Sequence, residues 1–421
     1  MKLTNEEVNY SASVVRIHNF NDLEGADRLV GFSCFGMQAI VAKGSYEVGQ
    51  LGILFPTECQ LSLDFATKNN LHAHSELNED KEAKGYLGDK RRVQAIKLRG
   101  NKSTALFMPL SSLEYLGINT NELKEGDSFT HINGIEICRK YVIVRNEPGQ
   151  KNKTKGTTKK FKRIDNKIFP EHWDTDSFFR NVGQYKENDE LIVTQKLHGT
   201  SARFTNQLVL RKPTWKDKVA KFFGVQVQEY GYDTVAGSRR VIKDVKAETN
   251  HEHFYSADVW NRWLEKVQHV IPKNWVLYGE IVGYTEDGGQ IQKNYNYDCP
   301  VGTSQLYIYR VTIVNPDGIV LDLSWKQIKD FCVNNGLKHV PELWSGKFSE
   351  FNVDDWMDRD YHNTGYPQAI PLDKNSPCDE GVCIRREGFS PYVTKAKAPE
   401  FLLHETNQLN KGEIDTESQE G

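Results

Sequence analysis

The stretch at residues 190–204, ELIVTQKLHGTSARF, decides how this chain is read. Leu191, Ile192 and Val193 form an apolar run that ends at Lys196, Gly199 follows, and a second strand-like run opens at Thr200. Two strands around a glycine turn is the reading. A lysine at such a strand end is held over a pocket, while the turn backbone is free to approach a phosphate closely. By itself a KxHG turn is more often a strand end with a solvated lysine.

Working outward, five further short motifs follow in the same half of the chain: SRR at 238–240, YGE at 278–280, YIYR at 307–310, EG at 380–381 and KAK at 395–397. Each supplies a different part of a nucleotidyl-transfer site. An amine is a nucleophile only when neutral, so Lys196 needs burial and nearby cations to lower its pKa. Lys395 and Lys397, two apart on a strand, point to one face and so reach one phosphate together. Glu280 and Glu380 are read at strand termini, where carboxylates hold a divalent cation against a polyphosphate. Arg239 suits a sugar or phosphate, with Arg240 competing for the contact, and Tyr309 or Tyr307 suits a purine face. Gln195 is positioned to read a base edge, and Arg180 to meet a phosphate. Singly, each of these is more often core or a surface charge; the ordered set is what carries the reading.

Composition sets the frame. The chain has 421 residues, 38% hydrophobic and 26% charged, which gives room for two to three domains and excludes wholesale disorder. Lys+Arg 54 against Asp+Glu 57 leaves a net charge of -3, so any nucleic-acid contact comes from a local patch. The seven cysteines contain no CxxC pair, which predicts reduced core residues rather than a disulfide framework or zinc site. No apolar run reaches about 18 residues and the start carries no leader pattern, so a cytoplasmic chain, neither secreted nor membrane-bound, is expected.

From Ser11 to about Tyr141, short β-rich runs broken by turns predict a small antiparallel barrel or sandwich. Residues 73–89 read as a long polar loop within it. KNKTKGTTKKFKR, residues 151–163, holds seven Lys or Arg and no acid, and reads as an exposed hinge that also offers phosphate contacts. Beyond it the pattern is mixed α and β. Phe254, Ala257, Trp260, Leu264, Val267 and Ile271 recur at helical spacing, and SWKQIKDFCVNNG is a capped helix. The resulting division is 1–145, a linker at 146–164, a second domain at 165–410, and a disordered tail at 411–421.

The ordered motifs resemble those of the covalent-lysine nucleotidyltransferases, the superfamily of ATP-dependent DNA and RNA ligases and mRNA capping enzymes. KxHGT resembles the RNA ligases that seal breaks within duplexes, where DNA ligases and capping enzymes usually carry KxDG. VVRI, GADRLVGF, KGSYEVGQLGILFP, RRVQAIKLRG and KEGD resemble the N-terminal OB domain of Deinococcus-type RNA ligases. The resemblance spans roughly residues 10–405. It implies an α+β protein: an N-terminal OB-type β-barrel followed by a mixed α/β nucleotidyltransferase domain, ATP-grasp-like and built on antiparallel sheets.

It further implies an ATP-dependent RNA ligase acting through a lysyl-AMP intermediate on Lys196 and an adenylylated 5′ end. Lys196, Lys395 and Lys397 are then catalytic. The nucleotide is held by Gln195, Lys196, His198, Gly199, Arg239, Glu280, Tyr309, Glu380, Lys395 and Lys397, and Mg2+ or Mn2+ by Glu280 and Glu380. The partner is RNA, as a nicked duplex or RNA-containing hybrid, met by a monomer. The competing readings are a DNA ligase, a GTP-dependent capping-type enzyme, and an RNA-binding protein without the chemistry.

Overall fold

The computed structural model describes residues 1–142, 162–247 and 257–412. Most of the basic hinge, Phe254 and nearly all of the tail lie outside the described residues. The described chain forms two units, one from residues 1–142, 176–182 and 397–412, the other from 162–175, 183–247 and 257–396. The first unit is therefore not one stretch of sequence.

In the first unit, strands β1 (Ala12–Arg16), β2 (Asn21–Asp22), β3 (Leu29–Cys34), β4 (Met37–Ala42), β5 (Leu51–Pro56), β6 (Ala105–Pro109) and β7 (Ser128–Phe129) form one sheet in the order β7-β1-β5-β6-β4-β3-β2. Pairing is antiparallel except for β6 against β4, joined at Ala105 and Ala39. Among the described residues these pairings do not close the sheet into a barrel. Alternate residues face two apolar clusters, one around Ile53, Phe55 and Phe129, the other around Val15, Leu54 and Phe107. The stretch 73–89, expected as a loop, is tied down by Asn78. Its fully buried carboxamide accepts from the His72 amide at 2.9 Å and donates to the His72 and Ala83 carbonyls at 2.9 and 2.8 Å.

The helix Pro399–Asn410 belongs to this unit and buries Phe401, Leu403, Thr406 and Leu409. Thr406 donates to Glu58 at 3.1 Å and accepts from the Ala95 amide at 3.2 Å, while Arg92 meets Glu58 at 3.2 Å. Burial raises the Glu58 carboxyl to about 7 in spite of Arg92.

The second unit holds two sheets. One runs β11-β10-β9-β12-β13-β14, from β9 (Thr200–Leu210), β10 (Tyr230–Gly237), β11 (Ile242–Lys243), β12 (Trp275–Gly283), β13 (Ser304–Val314) and β14 (Val320–Asp322). The other contains β8 (Glu190–Gln195) between β15 (Glu342–Lys347) and β16 (Gly381–Arg386), with β17 (Tyr392–Lys397) beyond β16. The turn after Lys196 is where the chain passes from β8 in one sheet to β9 in the other.

Three helices complete this unit: α1 (Trp215–Phe222), α2 (Val259–Val267) and α3 (Trp325–Asn334). The predicted helix at 257–271 is α2, with Val259, Trp260, Leu264 and Val267 buried. The capped helix is α3, where Ser324 and Gln327 cap each other reciprocally. Together these elements make the mixed α+β architecture expected from sequence. All seven cysteines are free. Among the described residues, no helix is long and apolar enough to cross a membrane.

Candidate active site

Lys196 leaves β8 with its amide donating to the Gly381 carbonyl at 3.0 Å, which fixes the strand end beside the start of β16. Its Nζ lies 2.8 Å from Glu380 Oε1, and Glu380 is almost fully buried. His198 follows. Its amide donates to the Tyr297 hydroxyl at 2.7 Å, its ring packs edge-on against Tyr295 at 5.1 Å, and Nδ1 is 3.8 Å from Glu380 Oε2. One carboxylate thus faces both motif side chains.

Gly199 is demanded by space. A Cβ there would lie 2.3 Å from the Ile281 carbonyl oxygen and 3.0 Å from Glu280 Cγ. Its bare amide instead donates to Glu280 Oε1 at 3.0 Å, and the Gln292 carboxamide donates to its carbonyl at 2.9 Å. Glu280 lies within β12 opposite Ser201, not at a strand terminus as expected; Glu380 does immediately precede its strand.

A cleft of about 920 Å³, mouth included, opens over this turn. Its walls carry Gln195, Lys196, Arg239, Glu280, Tyr309 and Lys395 from the expected set, while His198, Gly199 and Glu380 stand behind through the contacts just given. Two open choices are resolved by placement. Tyr309 lines the cleft and Tyr307 does not; Arg239 lines it, whereas Arg240 borders a separate hollow with Lys162 and Arg163. Arg239 pairs with Asp174, and the turn before it is held by buried Arg203, whose Nε donates to the Ser238 carbonyl at 3.0 Å.

Three residues of the expected set have other partners. Lys395 lines the cleft, while Lys397 is grouped with the first unit, where its Nζ pairs with Glu405 at 3.1 Å. Gln195 lines the cleft, but its carboxamide is spent: it donates to Asp379 at 2.7 Å and Ile370 O at 3.2 Å, and accepts from the Ile370 amide at 2.8 Å. It braces the wall rather than offering a free edge to a base. Arg180 is turned inward in the first unit, donating to the Val8 carbonyl and to Ser11.

Sequence reading missed much of the opposite wall, above all His172, Trp173 and Arg310. The pairing of β12 with β13 slips between Tyr278 and Gly279, whose partners are Arg310 and Ile308, so Tyr309 is an extra residue. This bulge lets the consecutive Tyr309 and Arg310 both reach the cleft, which a period of two forbids. Asp322 accepts from Arg310 at 2.6 and 3.0 Å, and the guanidinium sits 3.4 Å over the Trp173 ring. His172 packs against Tyr309 with ring centres 5.0 Å apart. Arg385 was readable: it alternates with Cys383 along β16, and both line the cleft. Asp379, the partner of Gln195, is pushed up to about 7 by burial, opposed by the Tyr361 amide and Gln195.

Among the described residues no cluster of three or more metal-ligating side chains occurs. Two nearby carboxylates fit a hard cation held mainly by water and a ligand's phosphates, and not one caged by protein.

Residues 189–397 match the family model described as RNA ligase. Over this span the chain belongs to the RNA ligase family. The structure of an apo variant of the Naegleria gruberi RNA ligase matches with a TM-score of 0.58 at 18% identity, covering 95% of this chain and 99% of that one. The same enzyme with pyrophosphate matches at 0.58 and 17% identity, covering 94% and 98%. A variant of it with ATP and Mn matches at 0.57 and 18%, covering 93% and 98%. At such identity the likeness shows a shared fold. No curated protein matches the chain. The matched span of this RNA ligase contains Lys196, His198, Gly199, Arg239, Glu280, Tyr309, Glu380, Lys395 and Lys397.

Proposed function

We propose that this RNA ligase uses ATP to join 3′-hydroxyl and 5′-phosphate RNA ends, at nicks in duplex RNA or RNA-containing hybrids, through an adenylate on Lys196. The observation that carries the reading is Lys196 Nζ on the wall of a cleft shared with Arg239, Glu280, Tyr309 and Lys395. ATP and Mn in the Naegleria relative support the choice of nucleotide and of a divalent metal.

In the first step Lys196 Nζ attacks the α-phosphorus. The N–P bond forms, the bond to the bridging oxygen of pyrophosphate breaks, and the amine gives up a proton. The contact with Glu380 orients the side chain as an ammonium, while the positive charge of Lys395 across the cleft favours its deprotonation and stabilises the phosphate oxygens. Tyr309, backed by His172, is the stacking surface for adenine, and Arg239 the ribose contact. Gly199 and the adjoining His198 shape the turn under the phosphates. Glu280 and Glu380 would hold Mg2+ or Mn2+, which supplies charge neutralisation on the polyphosphate. AMP then passes to the RNA 5′-phosphate, and attack by the 3′-hydroxyl releases it and closes the strand.

The first unit is proposed as the OB-type nucleic-acid-binding domain. The division at 1–145, 146–164, 165–410 and 411–421, a monomeric state and a cytoplasmic location belong to the same proposal. Incubation with α-labelled ATP or GTP and a divalent metal, then denaturing separation and peptide mapping, tests it. Acid-stable label from ATP on Lys196 is expected. Label from GTP instead means capping chemistry, and no label with active controls means an RNA-binding protein.

A further inference from the structure

The hairpin of β9 and β10 begins at the Lys196 turn and ends in a largely exposed connection. There α1 has no buried residue. Trp215 is 71% exposed, Phe222 85% and Phe223 75%. Trp215, Val219 and Phe222 fall on one face of the helix, at i, i+4 and i+7, and Lys216 and Lys218 border that face on either side. Lys212 stands just before the helix. Large aromatics left in water on a charged helix mark a contact surface.

The aromatic line continues down the hairpin. Tyr230 and Tyr232, both exposed, share one face of β10. Lysines attend these rings: Lys216 lies 5.8 Å over Trp215, Lys273 4.8 Å over Tyr232, and Lys266 4.4 Å over Trp263 on α2, which packs on β10. Aromatic planes with cations set among them, over Trp215, Tyr232 and Trp263, match the stacked bases and spaced phosphates of a single strand. A membrane-surface helix keeps its apolar residues on its own face, whereas here exposed aromatics extend beyond α1 onto β10.

We propose that this hairpin is an RNA-binding arm that holds unpaired RNA away from the joining site. Trp215, Phe222, Phe223, Tyr230 and Tyr232 stack bases, and Lys212, Lys216 and Lys218 meet phosphates. The 11 residues of β9 set the tip about 33 Å from the Lys196 turn, roughly one turn of a nucleic-acid duplex. The arm rests on RNA being the substrate class of this ligase.

The test uses the full-length chain and a fluorescent single-stranded RNA of about 20 nucleotides, its binding followed by anisotropy across a salt series. A Trp215→Ala/Phe222→Ala/Phe223→Ala variant, which loses three stacks, should bind at least about 100-fold more weakly. A Lys212→Gln/Lys216→Gln/Lys218→Gln variant should lower the salt slope by about 2. Both should take AMP from ATP at the wild-type rate, and no buried packing is lost in either. Unchanged RNA affinity and slope in both variants overturn the arm. So does loss of binding to phosphatidylserine-containing vesicles with RNA affinity intact, which would make the face a membrane contact. If the wild-type chain takes no AMP while the variants lose RNA affinity, the arm stands and the catalytic reading falls.

Discussion

Gly199 shows how tightly the turn after Lys196 is drawn, because the Ile281 carbonyl oxygen, a Val282 methyl and Glu280 Cγ occupy the space that any side chain would need. Gly199→Ala should shift the turn by the better part of an ångström and slow adenylation roughly 100-fold, read as the initial rate of label transfer from ATP. The two tyrosines on β13 separate binding from packing. Tyr309→Ala should raise the KM for ATP with modest loss of stability, whereas Tyr307→Ala, at a buried residue outside the cleft, should lower the melting temperature and leave KM unchanged. Equal KM values in the two variants would remove the stacking role from Tyr309. Gln195 and Asp379 act as a brace: neighbours of Lys196 and Glu380 respectively, they bond at 2.7 Å and hold together the strand ends that carry those two side chains.

At the scale of the element, the bulge in β13 turns an ordinary strand into two consecutive cleft residues, and the reciprocal cap on α3 anchors the helix that brings Trp325 to the same cleft. Ser324→Ala removes the side-chain acceptor for the Gln327 amide and should cost about 1 kcal/mol, measured by denaturant unfolding. The helix Pro399–Asn410 is held in the first unit by one hydroxyl with two partners. Thr406→Val keeps the shape but leaves the Ala95 amide without its acceptor and Glu58 with only its Arg92 contact, and should cost about 1–3 kcal/mol by the same measurement.

Across the whole molecule, two buried carboxyls set the pH dependence of stability. Glu58 and Asp379 are both raised to about 7, chiefly by burial. Each keeps in the folded chain a proton that the unfolded chain loses near its ordinary value. Their contribution is therefore complete below about pH 4 and is lost as pH rises toward about 7. Asp233 and Glu342, which cations hold below the usual range, act the other way and only in acid. The melting temperature should fall between about pH 5 and about pH 8; a flat or rising profile would contradict the burial of these two groups.

The sequence by itself determined the strand–glycine–strand reading, the helices at α2 and α3 and six of the residues that line the cleft, because periodicity, caps and short motifs are local properties of the chain. Which tyrosine and which arginine line the cleft, and what Gln195 and Lys397 bond to, are set only by tertiary structure. Those outcomes turn on a bulge that shifts strand register, on buried hydrogen-bond partners such as Asp379 and Ile370, and on a unit assembled from three separate stretches. His172 and Trp173 carried no signal for the same reason: they matter through what packs on them, and sequence spacing does not encode contacts made across sheets.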